Sequence, residues 1–275
     1  MNKPTKHIDI EQVLASKSPR LKKALPRFMI RYLKKIVHED EINRGLDVFG
    51  DKEGTEFIEG ALEFLGITYT IEGLDNLDEN ERYAFVSNHP LGGLDGIILI
   101  LALSKKFGPI KVPVNDLLMN VKQLNVFFIP VNKHGAQTRE SAKLMESTYA
   151  SDKQLFTFPA GLCSRKQRGG KIEDLEWKKN FIVKSIKYQR QIVPIFFSGK
   201  NSNFFYNLSR IRNFLGIKVN IEMLYLVDEM FKQKGNKLHA RVGEPIPPEM
   251  FKSTSRPKEW TAWVKAKTYS LDNAQ

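Results

Sequence analysis

The sequence predicts an α/β fold in which a mixed central sheet is flanked by helices and preceded by a helical N-terminal segment. From residue 66 onward, short β-rich apolar runs alternate with stretches of helical periodicity. This alternation is typical of a partly parallel sheet with helices on its faces. The residues before it lack such runs and have helical periodicity. We therefore expect residues 1–65 to form a helical segment and residues 66–275 to form one further domain.

The helical segment contains one strongly basic stretch, residues 21–37. Its apolar residues recur at helical spacing, and no acidic residue occurs between Glu11 and Glu39. Pro26 lies inside this pattern, so we expect the helix to kink or to begin there. A further helix is predicted over residues 54–65.

The α/β region is predicted to contain eight strands and four helices between them. The strands are expected at residues 67–71, 83–87, 110–114, 126–131, 154–158, 192–197, 219–226 and 238–242. The helices are expected at residues 96–107, 137–150, 177–188 and 204–214. Ligands of such sheets bind beyond the strand ends, so the turns that follow the strands are the places to search for a site.

Composition and charge restrict the function classes. The chain is 41% hydrophobic and 27% charged, which excludes a disordered or fibrous protein. Its 43 Lys and Arg against 31 Asp and Glu give a net charge of +12, which indicates an anionic partner: nucleic acid, an acidic membrane or a phosphorylated ligand. A single cysteine, Cys163, excludes an internal disulfide and fits a reducing compartment.

Hydropathy favours a protein that stays on one side of a membrane. The longest aliphatic run, residues 97–103, has seven residues, whereas a helix needs about 20 to cross a bilayer. The N-terminus is polar and does not resemble a secretory signal, so we do not expect export.

The first turn of interest reads NHPLGGLDG and follows the strand at 83–87. His89 lies at the strand exit, Gly92 and Gly93 permit a sharp bend, and Asp95 immediately precedes an apolar helix. A histidine base needs a carboxylate that fixes its tautomer and stabilises the imidazolium, and this bend allows Asp95 to reach His89. The alternative is that Asp95 is the N-cap of the helix and His89 is solvated.

This turn resembles the N-H-x-x-x-x-D signature of the PlsC-like glycerolipid acyltransferases, or lysophosphatidate acyltransferases. The resemblance implies that His89 deprotonates a lipid hydroxyl, which attacks an acyl thioester, while Asp95 supports the histidine. Asn88 takes the first position of the signature. Five residues separate His89 from Asp95, against four in the common pattern. The longer turn resembles a bacterial subgroup labelled as hemolysins, some of which acylate lyso-ornithine or lyso-glycine lipids.

Two later turns resemble the family's second and third blocks. NVFFIPVNKHG places Asn132 and Lys133 after a strand, where the family has a basic residue that contacts the acceptor; the alternative is a solvated lysine. FPAGLCSRKQRGGK matches the F-P-E-G-T-R-S block at four positions: Phe158, Pro159, Gly161 and Ser164. The resemblance implies that these four residues, together with Asn88 and Arg165, contact substrate.

Two residues of the third block differ from the family pattern. Ala160 replaces its glutamate and Cys163 replaces its arginine. With these differences a lyso-aminolipid fits the sequence as well as lysophosphatidate does as the acceptor. Arg165, with Lys166 and Arg168, is predicted to hold an anionic group. Cys163 as a nucleophile is a weaker hypothesis than Cys163 as a small buried apolar side chain.

These observations together predict a peripheral O-acyltransferase on the cytoplasmic face of the inner membrane. The resemblance implies a lysolipid acceptor and a thioester of acyl carrier protein or coenzyme A as co-substrate, with no cofactor and no metal. An anionic membrane surface is the expected partner of residues 21–37 and of the aromatic and basic stretch 203–218, which contains Arg210 and Arg212. Two alternatives stay open: a catalytically inactive membrane module and, on charge alone, a nucleic-acid-binding protein, although we expect no nucleic acid because no recognition motif is present.

Overall fold

A computed structural model describes residues 7–17, 22, 24–115, 118–131, 139–167, 169–251 and 256–273. The chain forms two compact units. The first consists of Met1–Ile67 and Asn201–Asn236, and the second of Thr68–Lys200 and Lys237–Gln275. The proposed boundary between a segment 1–65 and a domain 66–275 stays a prediction.

The described helices and strands follow one another in the order that the alternating pattern indicates. The helices are α1 (Ile10–Lys17), α2 (Arg27–Ile36), α3 (Glu39–Phe49), α4 (Gly54–Leu65), α5 (Leu94–Phe107), α6 (Arg139–Ala150), α7 (Asn180–Tyr188), α8 (Asn203–Phe214), α9 (Leu226–Phe231) and α10 (Pro257–Ser270). The strands are β1 (Thr68–Glu72), β2 (Tyr83–Ser87), β3 (Val112–Val114), β4 (Phe128–Pro130), β5 (Leu155–Thr157), β6 (Arg165–Lys166), β7 (Ile172–Glu173), β8 (Gln191–Phe197) and β9 (Lys237–Val242).

The second unit is built on a five-stranded sheet with the order β1-β9-β8-β2-β5. Three neighbouring pairs are parallel, and β8 with β9 is antiparallel, so the predicted mixed sheet is confirmed. Strands β3 and β4 form a short parallel pair, and β6 and β7 form an antiparallel hairpin.

Strand β2 and helix α5 form much of the core beside the site. Every residue of β2 is buried, because the strand lies inside the sheet between β8 and β5. Helix α5 follows it after a short turn and is buried along most of its length, as its nearly continuous apolar sequence predicts. Burial of both elements fixes the two ends of the turn that joins them.

The first unit contains α1 to α4, α8 and α9. Helix α2 begins at Arg27, directly after Pro26, because proline fits the start of a helix but not its interior. The helix at 54–65 is confirmed as α4. The pattern did not resolve α3, α10 or the β6–β7 hairpin, which the structure adds.

The predicted strand at 219–226 is wrong. Residues Ile221–Tyr225 form a 3₁₀ turn that leads into α9. Glu222 within this turn is fully buried, and Arg212 binds its carboxylate at 2.8 Å. Pairing with a cation is what allows a carboxylate to be buried here.

Candidate active site

The histidine and the aspartate of the first turn are in direct contact. His89 Nδ1 lies 3.0 Å from Asp95 Oδ2, and the His89 side chain is 13% exposed. A carboxylate oxygen accepts, so a neutral imidazole in this contact carries its proton on Nδ1 and has a lone pair on Nε2. No hydrogen bond to Nε2 is found among the residues that the structure describes. A pair of this geometry can act as a general base with an orienting carboxylate.

Asp95 is held in place by backbone donors as well as by the histidine. Its Oδ2 also accepts from the Leu91 N–H at 3.0 Å, and its Oδ1 accepts from the Gly96 N–H at 2.8 Å. The N-cap of α5 is Gly93, so the alternative in which Asp95 is the N-cap is wrong. Asp95 instead lies in the first turn, where the helix dipole favours a negative charge.

The bend between β2 and α5 depends on one of its two glycines. Gly92 has φ +83°, a left-handed conformation that residues with a Cβ rarely adopt. Gly93 has φ −149°, and a Cβ at that position would meet nothing within 4 Å. Gly92 therefore makes the turn that brings Asp95 back to His89, while Gly93 contributes little.

Phe158 of the third turn packs directly on the catalytic histidine candidate. Its ring lies 3.7 Å from the imidazole, centroid to centroid, with an interplanar angle of 20°. Pro159 is buried, and Gly161 has φ +67°, so the chain reverses directly after the aromatic residue. One face of the imidazole is thus covered by an apolar ring that limits its rotation.

Asn88 connects the ends of two neighbouring strands. Its Nδ2 donates to the Phe197 carbonyl at 2.9 Å, and its Oδ1 accepts from the Phe197 N–H at 2.7 Å. The side chain is buried, and this pair of bonds continues the β2–β8 ladder beyond Ser87. The predicted contact of Asn88 with substrate stays a prediction, since its amide is bound to the backbone.

Ser164 and Arg165, both predicted to contact substrate, are buried. The Ser164 N–H donates to the His89 carbonyl at 2.7 Å, and its hydroxyl donates to Asp174 at 2.6 Å. Arg165 Nη1 donates to the Cys163 carbonyl at 2.7 Å and contacts the Cys163 sulfur at 2.9 Å. Cys163 is 1% exposed, which agrees with its interpretation as a small buried apolar side chain.

Sequence reasoning missed Asp174, which contacts both turns of the site. Its carboxylate accepts from the His89 N–H, the Ser164 hydroxyl and the Trp177 indole. Asp174 lies in an irregular stretch after β7, and no motif or periodicity in the sequence indicates its role.

Part of the predicted site lies outside the described residues. Asn132, Lys133 and Arg168 belong to this group. No three side chains of His, Cys, Asp or Glu come together as metal ligands in the described part of the chain. The absence of a metal requirement stays a prediction.

The two stretches proposed to contact a membrane both belong to the first unit and lie next to each other. The Tyr32 and Tyr225 hydroxyls are 2.7 Å apart, and the Phe204 ring contacts Tyr225. Burial and the bond with Tyr32 raise the pKa of Tyr225 to about 12, so Tyr225 stays neutral near pH 7. We call the exposed apolar side chains of these two stretches and of residues 219–224 the apolar surface. Its members are Phe28, Met29, Tyr32, Phe204, Ile211, Phe214, Leu215, Ile217, Val219 and Leu224.

The charge of the apolar surface differs from the expectation at one residue. Arg212 was grouped with Arg210 as an exposed cation, but it is buried against Glu222. Arg27, Arg31 and Arg210 are exposed. Within the described part of the chain, no helix is both long and apolar enough to cross a bilayer.

Comparisons with known proteins found a matching family model and similar proteins. A family model described as Acyltransferase matches residues 12–275. The lyso-glycine lipid O-acyltransferase of Bacteroides thetaiotaomicron is 47% identical over 265 residues, covering 96% of this chain and 97% of the relative. That of Phocaeicola vulgatus is 49% identical over 265 residues, covering 96% of this chain and 95% of the relative.

A solved structure of lower similarity was also found. The crystal structure of the 1-acyl-sn-glycerophosphate acyltransferase PlsC from Thermotoga maritima matches with 17% identity and a TM-score of 0.48. The match covers 93% of this chain and 87% of that chain.

Proposed function

The chain belongs to this acyltransferase family, and we propose that it transfers a fatty acyl group from a thioester to the hydroxyl of a lysolipid. The observation that carries the proposal is the contact between His89 Nδ1 and Asp95 Oδ2 at 3.0 Å, because a neutral imidazole that donates from Nδ1 offers the lone pair of Nε2 to a substrate proton. The donor is proposed to be acyl carrier protein or coenzyme A carrying the acyl chain. The reaction releases the thiol of the donor.

The proposed mechanism is a direct transfer. The acceptor hydroxyl donates its proton to His89 Nε2 while its oxygen attacks the thioester carbonyl. Asp95 stabilises the imidazolium that forms. The tetrahedral intermediate then collapses, the carbon–sulfur bond breaks, and the thiolate leaving group takes the proton from Nε2. Atoms and charge balance without an acyl-enzyme intermediate.

The acceptor is proposed to be a lyso-glycine lipid rather than lysophosphatidate. Both relatives carry lyso-glycine lipid in their names, and each aligns over nearly the whole of this chain. The differences from the lysophosphatidate pattern, Ala160 and Cys163, point the same way. A lyso-glycine lipid presents a hydroxyl as nucleophile and a carboxylate as its charged group, and it has no phosphate.

The apolar surface is proposed to bind the cytoplasmic face of the inner membrane. Phe214 is 90% exposed and Phe28 is 64% exposed, and large apolar side chains left in water in such numbers indicate an interaction surface. Exposed cations on α2 and α8, Arg27, Arg31 and Arg210, attract anionic headgroups, each by about 1 kcal/mol near the surface. This arrangement favours an interfacial position for the protein.

The function is tested by incubating the purified full chain with a palmitoyl thioester and a lysolipid. Palmitoyl-acyl carrier protein and palmitoyl-coenzyme A serve as donors, and a lyso-glycine lipid and lysophosphatidate as acceptors. Mass spectrometry is expected to detect the diacylated glycine lipid. If phosphatidate were the only product, the proposed identity of the acceptor would be overturned. If no donor and acceptor pair gave a product, the alternative of an inactive membrane module would be supported.

A further inference from the structure

The buried carboxylate of Asp174 connects the two turns that form the site. Asp174 is 2% exposed. Its Oδ1 accepts from the His89 N–H at 3.1 Å and from the Ser164 hydroxyl at 2.6 Å, and its Oδ2 accepts from Trp177 Nε1 at 2.9 Å. A buried carboxylate is stable only when such donors replace water. Each donor here belongs to a different part of the chain.

The backbone of His89 is fixed on both sides by the same region. Its N–H donates to Asp174, and its carbonyl accepts from the Ser164 N–H at 2.7 Å. The peptide groups around the histidine therefore cannot rotate without breaking a buried hydrogen bond. The imidazole leaves this fixed backbone and meets Asp95 on its edge and Phe158 on its face.

Asp174 is in turn held by helix α10. Its N–H donates to the Tyr269 hydroxyl at 2.8 Å, and its carbonyl accepts from Lys265 Nζ at 2.6 Å. Both residues lie on α10, which belongs to the same unit as the site. A chain of bonds thus runs from α10 through Asp174 to the backbone of His89.

We propose that Asp174 is a positioning residue for the reaction, acting through the backbone of His89 and the hydroxyl of Ser164. It does not touch the reacting atoms. It holds His89 Nε2 at the point where the acceptor hydroxyl arrives, and displacements of about 1 Å from such a point can lower the rate about 100-fold. Ser164 connects the third turn to Asp174, because its hydroxyl donates a hydrogen bond to the Asp174 carboxylate. This inference rests on the proposed function and adds a residue that the acyltransferase signature lacks.

The main test is Asp174→Asn, which keeps the size of the side chain. The Asn oxygen can still accept from His89 and Ser164 only if its NH₂ group faces the Trp177 N–H, where two donors oppose each other. We expect kcat to fall about 30- to 100-fold while KM for a palmitoyl thioester and a lyso-glycine lipid changes less than about 3-fold. Glu173→Gln is the matched control, since Glu173 pairs with the exposed Lys171 and is expected to leave kcat unchanged.

A second pair of variants separates positioning from a general loss of stability. Trp177→Phe removes the opposing donor, so Asp174→Asn in that background again offers an oxygen to His89 and Ser164. We expect Asp174→Asn to lower kcat less than about 5-fold relative to Trp177→Phe alone. The same loss in both backgrounds, or a folded Asp174→Asn with wild-type kcat, would overturn the proposal. If Asp174→Asn alone does not fold, the Trp177→Phe background decides.

A readout that needs no turnover keeps this inference separate from the proposed function. The Nδ1 proton of His89, hydrogen-bonded to Asp95, is expected as a downfield NMR signal that is absent from His89→Ala. Asp174→Asn is expected to shift or broaden it, and Glu173→Gln to retain it. An unchanged signal in Asp174→Asn would overturn the positioning role even if the wild-type protein transferred no acyl group.

Discussion

His89 Nδ1 and Asp95 Oδ2 lie 3.0 Å apart although five residues separate them along the chain. The intervening turn reverses at Gly92, and the carboxylate is fixed by the N–H groups of Leu91 and Gly96. The position of the Asp95 carboxylate therefore does not depend on its bond to the histidine alone. One of the two partners can be replaced while the other keeps its position, so each can be tested by itself.

Removing the imidazole is expected to abolish transfer without unfolding the protein. His89→Ala should lower the rate of acyl transfer by about 10²- to 10⁴-fold, the usual contribution of a general base. Asp95 keeps two backbone donors in this variant, so circular dichroism and vesicle binding should be unchanged. Product formation by mass spectrometry checks the prediction.

His239→Ala is the control for this experiment. His239 pairs with the exposed Glu72 at 2.9 Å, an interaction worth about 0–1 kcal/mol. It should therefore keep wild-type turnover. A His89→Ala protein that turns over as fast as His239→Ala would show that the base is wrongly assigned.

Changing the carboxylate to an amide is expected to disturb the tautomer of the base. In Asp95→Asn the new NH₂ group either faces His89 Nδ1, which then has to accept, and opposes the Leu91 N–H, or it faces the Gly96 N–H and loses that bond. In the first case the proton moves to Nε2, the atom that has to act as base. We expect kcat to fall about 10²-fold or more, measured by steady-state kinetics with a palmitoyl thioester. Equal kcat for the variant and the wild type would contradict this orienting role.

The two glycines of the turn provide a matched pair. Gly92→Ala forces a Cβ into a left-handed conformation, which costs about 1–2 kcal/mol, and should lower both the free energy of unfolding and kcat. Gly93→Ala adds its Cβ in open space and should have less than half of either effect. Urea unfolding and steady-state kinetics measure the difference. Equal losses in the two variants would refute the assignment of the bend to Gly92.

Membrane binding is expected to depend on exposed phenylalanines in the first unit. Each phenylalanine that leaves water contributes roughly 1.5–3 kcal/mol, so Phe28→Ser with Phe214→Ser should weaken binding about ten-fold or more. Sedimentation with vesicles of phosphatidylethanolamine and phosphatidylglycerol measures the affinity. Val48→Ser removes an equally exposed side chain that does not belong to the apolar surface, and it should bind as the wild type does.

The salt dependence of vesicle binding and the binding of nucleic-acid probes distinguish an anionic membrane from nucleic acid as the partner. The apolar contribution to vesicle binding should persist at high salt, whereas the contribution of Arg27, Arg31 and Arg210 is screened. Binding to a duplex or single-stranded probe that exceeds binding to vesicles, and that is unaffected in the double variant, would favour the nucleic-acid alternative instead.

The local sequence was sufficient for the parts of the fold that depend on uniform burial. Strand β2 and helix α5 are apolar over most of their length, so their limits and their order around the turn were predicted to within about two residues. The failure at residues 219–226 has the opposite cause. There Glu222 is buried by a partner ten residues earlier, Arg212, and hydropathy alone gives no sign of that pairing.

The same distinction separates what the sequence by itself determined from what only the tertiary structure decided. The spacing of His89, Gly92 and Asp95 determined the contact between imidazole and carboxylate, because a turn of a few residues is a local object. No local pattern indicates the place of Asp174 beside that turn, since its bond to the His89 N–H joins residues that are 85 positions apart in sequence. Which distant segments meet is fixed by burial across the whole sheet and not by any local pattern.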